Sequence, residues 1–329
     1  MNLLREFYRT HIMHHLPVFL RRMIGFPGRF LHGRPYLRGF EEQQLWALKN
    51  WKNFWKCTTF PFPWANEYDI SKFPVYKDED CDLFFVENHG MKLYFPNKGI
   101  YKDNQYNCQL TAMSLSIEQD LLSAHRYVSM ENIMFGTIDR DNNEIPIYPA
   151  HFVDQGDIVA DIGASNGNFS LSVIDNAKHV YLFEPNIIWN EGLSKTFEKY
   201  KEKITIINKY VSDIDSDDSI TLNTFFKDKI VNFIKVDVDG YEEKILNGAK
   251  SIFCRENIGG GGMKCSICTY HRPQDERNFK KYFKDLNFDI NFSDSYLFFP
   301  FDWRLVLEHK PQPDNISFFR KGVLMARKV

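Results

Sequence analysis

The stretch that decides the fold is Asp157 to Asn186, DIVADIGASNGNFSLSVIDNAKHVYLFEPN. It predicts a strand, a glycine turn, a helix and a second strand. Ile158-Val159-Ala160, ending in Asp161-Ile162, lacks polar alternation, which suits a strand buried on both faces of a parallel sheet. Gly163 permits a sharp turn, and Gly167 keeps a side chain away from a close approach of the backbone to a ligand or a strand. Phe169, Leu171, Val173 and Ile174 give the helix a buried face. The second strand, Val180 to Phe183, delivers Glu184 at its carboxyl end, about 20 residues after the turn, where nucleoside-binding folds place an acid on ribose hydroxyls.

Two ligands compete for such a unit. A dinucleotide needs GxGxxG, because its pyrophosphate requires the middle glycine and a helix N-terminus. Here the turn reads Gly163-Ala164-Ser165-Asn166-Gly167, without a middle glycine. S-adenosylmethionine has a ribose and an adenine but no pyrophosphate. Its ammonium group suits an acid such as Asp161, and its carboxylate suits backbone donors of the turn. The residues therefore favour a methyl donor over a nicotinamide.

The DIGASNGNF turn, the FEPN that ends the second strand with Glu184 and Pro185, and the later IKVDVDGYEEKILNGAK resemble the FkbM family of S-adenosylmethionine-dependent methyltransferases. Members of that family typically show a DxGAxxG turn and an IKxDxEGxExxxLxGA segment. The resemblance covers roughly Ile145 to Ile252. It implies a Rossmann-like class I methyltransferase sheet, α/β, mostly parallel and seven-stranded, with S-adenosyl-L-methionine as cofactor. It also implies O-methylation, with a sugar or glycan hydroxyl as the acceptor we favour. A cofactor-binding scaffold without catalysis and a nicotinamide oxidoreductase are the alternatives.

The core continues with a helix around Trp189 to Tyr200, a strand at Ile204 to Ile207, and Val211-Ser212-Asp213. The resemblance places Asp213 on the adenine amino group; a turn aspartate is the competing reading. Where the family carries TLD, this chain has Thr221-Leu222-Asn223. The fourth strand, Phe233 to Val236, ends in Asp237-Val238-Asp239-Gly240, at the carboxyl edge that borders the crevice of a doubly wound sheet. Asp237 is expected at the methionine end of the cofactor or at the acceptor hydroxyl. Asp239, where the family carries Glu, is a candidate substrate contact. Glu242 and Glu243 meet the dipole of the following helix.

A fifth strand, Lys264 to Thr269, leads into Tyr270-His271-Arg272-Pro273-Gln274-Asp275, similar to a YHxPxD stretch of some family members. An imidazole near neutrality is well matched to removing a hydroxyl proton. His271 is therefore the expected general base, with Asp237 assisting and Tyr270 and Arg272 as candidate substrate contacts.

No metal site is expected. Asp237 and Asp239 alone offer too few ligands, and Cys265-x-x-Cys268 has no second pair, so its thiols read as structural. Six scattered cysteines point to a reducing compartment. A net charge of −2 gives no pull toward nucleic acid. No apolar run approaches a membrane span, and no signal-peptide pattern is present. The expectation is a cytoplasmic protein.

The first forty residues carry seven arginines against Glu6 alone, a candidate peripheral contact with an anionic membrane. The competing reading is a docked helix with solvated arginines. EEQQLWALKNWKNFWK predicts an amphipathic helix, CDLFFVENHGMKLYFP a β-hairpin, and SLSIEQDLLSAHRYVS a helix. Residues 1–140 thus read as an appended helical and hairpin region, and 141–329 as the methyltransferase domain.

Overall fold

The computed structural model describes residues 75–95 apart from 82 and 89, 152–255, 262–292 and 319–328, with short pieces at 297–298, 302, 304–305, 308 and 310–311. The basic first forty residues and the two helices expected on either side of the hairpin lie outside the described residues.

The chain enters through three short strands, β1 (Val75–Lys77), β2 (Phe84–Asn88) and β3 (Met91–Phe95), paired antiparallel. The expected hairpin is β2–β3. The strand, helix and strand that follow the glycine-turn reading are β4 (Ile158–Ile162), α1 (Asn168–Val173) and β5 (His179–Phe183). Next come α2 (Asn190–Thr196), β6 (Ile204–Ile207), the small bridge β7 (Tyr210–Val211) with β8 (Ser219–Ile220), and α3 (Leu222–Phe225). The second half holds β9 (Phe233–Val236), α4 (Glu242–Gly248), α5 (Lys250–Phe253), β10 (Lys264–Cys268) and α6 (Asp275–Asp285). It ends with β11 (Asp289–Phe292), β12 (Leu297–Phe298), β13 (Phe319–Arg320) and β14 (Val323–Arg327).

Seven strands form the main sheet in the order β11-β14-β10-β9-β4-β5-β6. β4, β5, β6, β9 and β10 pair in parallel, whereas β14 runs antiparallel between β10 and β11. This is the Rossmann-like, mostly parallel seven-stranded α/β sheet expected from the sequence. The order reverses between β4 and β9, so the crevice opens where β4 and β9 end.

Period-2 alternation sorts the strand residues onto two cores. Val159, Val180, Leu182 and Phe233 pack with Phe169 and Leu171 of α1, Leu193 of α2, and Val86, Leu93 and Phe95 of the hairpin. Ala160, Ile162, Phe183, Ile234 and Val236 pack on the other face with Ile245, Leu246, Phe279 and Phe283. The hairpin is therefore built into the first core. Its backbone is tied down too, since Tyr94 N–H donates to Thr196 Oγ1 at 2.9 Å.

Gly167 is fixed by this packing. It has φ 82°, and a Cβ there would stand 2.7 Å from Leu193 Cδ2 and from Phe197 Cε2. The expected cost of Gly167→Ala is about 1–3 kcal/mol, from a left-handed backbone and overpacking together. Urea denaturation checks it, and a variant as stable as the parent would show that the helix face yields freely.

Candidate active site

Gly163 starts the site. Its φ of 74° lets the chain turn as it leaves β4, and a Cβ would fall 1.9 Å from the carbonyl oxygen of Asp237. Only glycine lets the β4 turn and the end of β9 touch this closely. The turn is also closed by its own amides. Gly163 N–H and Ala164 N–H both donate to Phe183 O, Gly167 N–H donates to Ala164 O, and Ser165 N–H donates to Glu184 Oε2 at 2.8 Å.

Glu184 stands where the second strand was expected to deliver it, 7% exposed. Its other oxygen, Oε1, accepts from Asn186 N–H at 2.9 Å. Burial is the main influence on its carboxyl and pushes it up to about 7, against the two amides and Lys235. A carboxylate has lone pairs beyond the two used here, so hydroxyl donors can still be accepted. Pro185, half-buried, follows it toward Asn186, whose side chain caps the next turn.

Asp161 does not face the crevice. It is fully buried, its Oδ1 lies 3.0 Å from Lys235 Nζ, and Oδ2 accepts from Ser170 Oγ at 2.7 Å. Lys235 also donates to Gly163 O at 2.8 Å. Burial disfavours its charge, yet Asp161 and then Asp237 outweigh that and keep the ammonium protonated. Asp161, expected at the cofactor's ammonium, is thus engaged by the lysine that holds the glycine turn. Asn166 is buried as well, and its Oδ1 accepts from Asn168 N–H at 2.9 Å.

Asp237 and His271 come together, as the ends of β9 and β10 require. His271 is 3% exposed, and its Nδ1 lies 2.6 Å from Glu242 Oε1. Its Nε2 lies 3.6 Å from Asp237 Oδ1 and 3.6 Å from Asp239 Oδ1. Asp239 and Gly240 both have positive φ, 54° and 92°. That loop brings the Val238 and Gly240 amides onto Glu242 Oε1, at 3.2 and 3.3 Å. Burial opposes a charge on His271, but Glu242, Asp237 and Asp239 together push it up to about 9. These three carboxylates favour the imidazolium, which weighs against the expected role of His271 as general base.

The other candidates divide. Tyr270, buried, donates from its hydroxyl to Asp237 Oδ1 at 3.1 Å, so it supports Asp237. Arg272 is held by Glu243 at 2.9 Å and its own N–H donates to Asp275 Oδ2, which turns it along α4 and α6. Asp239 is the more open of the two aspartates, with 46% of its side chain exposed against 19% for Asp237. Asp213 is exposed and accepts from Ser212 Oγ at 3.0 Å. Its Cα packs beside Gly248, the far end of α4 from the Asp237–Gly240 loop. Cys265 and Cys268 are buried in β10, and burial raises both thiols.

Two residues of the site escaped the sequence reading, Glu242 and Lys235. Helical spacing offered the signal for Glu242, since it lies three and four residues before Ile245 and Leu246 and so shares their buried face. For Lys235 the signal was a lone cation inside an apolar parallel strand.

Residues 190–290 match the family model described as Methyltransferase FkbM domain. Among curated proteins there is no significant match. Among solved structures, the chain is similar to the methyltransferase FkbM from Methylobacillus flagellatus KT, at 17% identity and a TM-score of 0.40, over 66% of this chain and 57% of that one. It is also similar to an rRNA methylase from Streptococcus thermophilus, at 17% identity and a TM-score of 0.37, over 55% and 91% of the two chains. A SAM-dependent O-methyltransferase from Thermotoga maritima is 18% identical, with a TM-score of 0.35, over 56% and 66%. The stretch that matches the family model contains Lys235, Asp237, Glu242 and His271.

Proposed function

We propose that the protein is an S-adenosylmethionine-dependent O-methyltransferase acting on a hydroxyl of a sugar or glycan. One observation carries the choice of cofactor. The amides of the glycine turn at 163, 164, 165 and 167 are all donated within the protein, so they form no cradle for a pyrophosphate, and the adjoining mouth is lined by Asp237 and Asp239. A dinucleotide would bring its anionic group against carboxylates. A methyl donor brings a sulfonium and an ammonium instead, and its ribose suits Glu184. The sulfonium, ammonium and ribose of a methyl donor therefore fit the residues present, while its carboxylate, expected on the turn amides, meets donors at 163, 164, 165 and 167 that are already used; the glycan acceptor follows from the family resemblance.

When bound, the cofactor supplies the methyl group of an in-line displacement, in which positioning contributes most of the rate. The chain's own residues then divide the work three ways. Glu184 accepts from the ribose hydroxyls. Asp237, oriented by the Tyr270 hydroxyl, accepts the acceptor's proton. His271, as an imidazolium over Asp237 and Asp239, fixes both carboxylates and limits their mutual repulsion.

Calorimetry with S-adenosylhomocysteine, NAD and NADP tests the cofactor; binding of the nicotinamides alone would sink this reading. Incubation of a glycan panel with a labelled methyl donor, followed by mass spectrometry, tests the acceptor. Asp237→Asn is expected to lower kcat by about 10²- to 10⁴-fold with S-adenosylhomocysteine affinity nearly kept. Full activity in that variant would remove Asp237 from the chemistry.

A further inference from the structure

The acidic pocket at the ends of β9 and β10 has a composition that methyl transfer does not by itself require. Asp237, Asp239 and Glu242 surround one imidazole, and Asp275, 1% exposed, stands behind it at the start of α6. Arg272 is turned to Glu243 and Asp275, so its charge is already shared. Asp237, Glu242 and His271 each bring one ligand atom within 4.8 Å of the others.

The distances distinguish two kinds of contact. Nδ1 of His271 meets Glu242 Oε1 at 2.6 Å, a hydrogen bond that places a proton on Nδ1. Nε2 lies 3.6 Å from Asp237 Oδ1 and 3.6 Å from Asp239 Oδ1, too long for hydrogen bonds. Nitrogen and oxygen ligands bound tetrahedrally at about 2.0–2.2 Å from an ion stand roughly 3.4 Å apart, close to that separation. A carboxylate on the remote nitrogen of a histidine is also the usual outer support of a metal-bound imidazole, fixing both tautomer and ring orientation. Glu242 suits that role. It is fully buried, two backbone amides hold its Oε1, and its Oε2 has no hydrogen-bond partner among the described residues.

We propose that a divalent metal ion binds at His271 Nε2 together with the carboxylates of Asp237 and Asp239, taking the place of the Nε2 proton, which is released to solvent, with Glu242 orienting the now neutral imidazole from behind. One imidazole and two carboxylates suit Mn²⁺ or Zn²⁺ better than a calcium-type cage of oxygens alone. The exposed side of Asp239 opens the remaining positions of the ion toward the crevice. On the methyl-transfer reading, those positions take oxygens of the acceptor, which directs the site to vicinal hydroxyls. A bound hydroxyl is acidified there without a neutral histidine as base.

Mn²⁺ is the probe, used with the full chain in the absence of methyl donor and acceptor, so the result is separable from S-adenosylhomocysteine binding. Loss of the free-ion electron paramagnetic resonance signal is expected to report one Mn²⁺ per chain, with Zn²⁺ competing. Spin-echo modulation from a coordinated imidazole nitrogen is expected in the parent and not in His271→Ala. Because that variant disturbs a buried position, Asp239→Asn and Glu242→Gln are the second measurement, each expected to weaken binding about 10-fold or more. No uptake of Mn²⁺ or Zn²⁺ by a folded parent overturns the proposal, and so does uptake that is unchanged in Asp239→Asn and lacks the nitrogen modulation.

Discussion

Lys235→Met is expected to destabilise the protein by about 3–5 kcal/mol, because it leaves a buried carboxylate without its cation. Asp161 is fully buried, Lys235 is 3% exposed, and their charged atoms are 3.0 Å apart on neighbouring strands in direct register. Methionine fills the same volume, so the loss is electrostatic rather than a cavity. The Ser170 hydroxyl would remain as Asp161's hydrogen-bond partner, and one neutral donor offsets only about 1 kcal/mol. Thermal unfolding is expected to fall by on the order of 10 °C.

The double variant Lys235→Met with Asp161→Leu separates this account from a general intolerance of change. Removing both charges is often nearly neutral, since neither desolvation cost then remains. The pair should therefore regain most of the stability that the lysine variant lost, minus roughly 1 kcal/mol for the stranded Ser170 hydroxyl. Additive losses in urea denaturation of the four proteins would falsify the ion-pair argument. Binding should behave differently. Gly163 O loses the Lys235 hydrogen bond in both variants, so S-adenosylhomocysteine affinity should stay reduced even where stability returns.

This pair also shows where the sequence was legible and where it was not. An apolar run without alternation placed β4 in a parallel sheet, because a strand buried on both faces has no polar side to display. The two apolar runs in LFFVEN and MKLYF, around a glycine-containing turn, likewise disclosed the hairpin, though not its third strand, Val75–Lys77. Glycine turns and strand ends were readable because their chemistry is local. The pairing of Asp161 was not legible, because its partner lies 74 positions later on the neighbouring strand. The position of His271 at the end of β10 was legible, but its charge was not. That charge is set by three carboxylates on another segment, one of them on a helical face that looked like a dipole partner.

Nucleoside affinity should follow the ionisation of Glu184. The folded protein raises this carboxyl from its ordinary value to about 7, chiefly because burial disfavours the charge. For stability, the sign follows from proton uptake. Between about 4.5 and 7 the folded state binds the proton more tightly than the unfolded chain, so this contribution to stability is fully present below about 4.5 and is lost as pH rises through 7. Binding has the opposite slope. Ribose hydroxyls donate to the carboxylate and not to the side of the acid that carries a proton, so the ligand selects the ionised form. If only that form binds, the apparent Kd for S-adenosylhomocysteine should fall about 30-fold between pH 5.5 and 8 and then level off. Lys235 pulls the transition lower and Asp239 pushes it higher, so Asp239→Asn should shift the midpoint to lower pH. Glu184→Gln should bind roughly 10- to 100-fold more weakly at pH 8 and lose the slope, because an amide has no proton to release. Calorimetric titrations across that pH range decide the matter: a slope that survives in Glu184→Gln belongs to another group, and the carboxylate then has no part in holding the ribose.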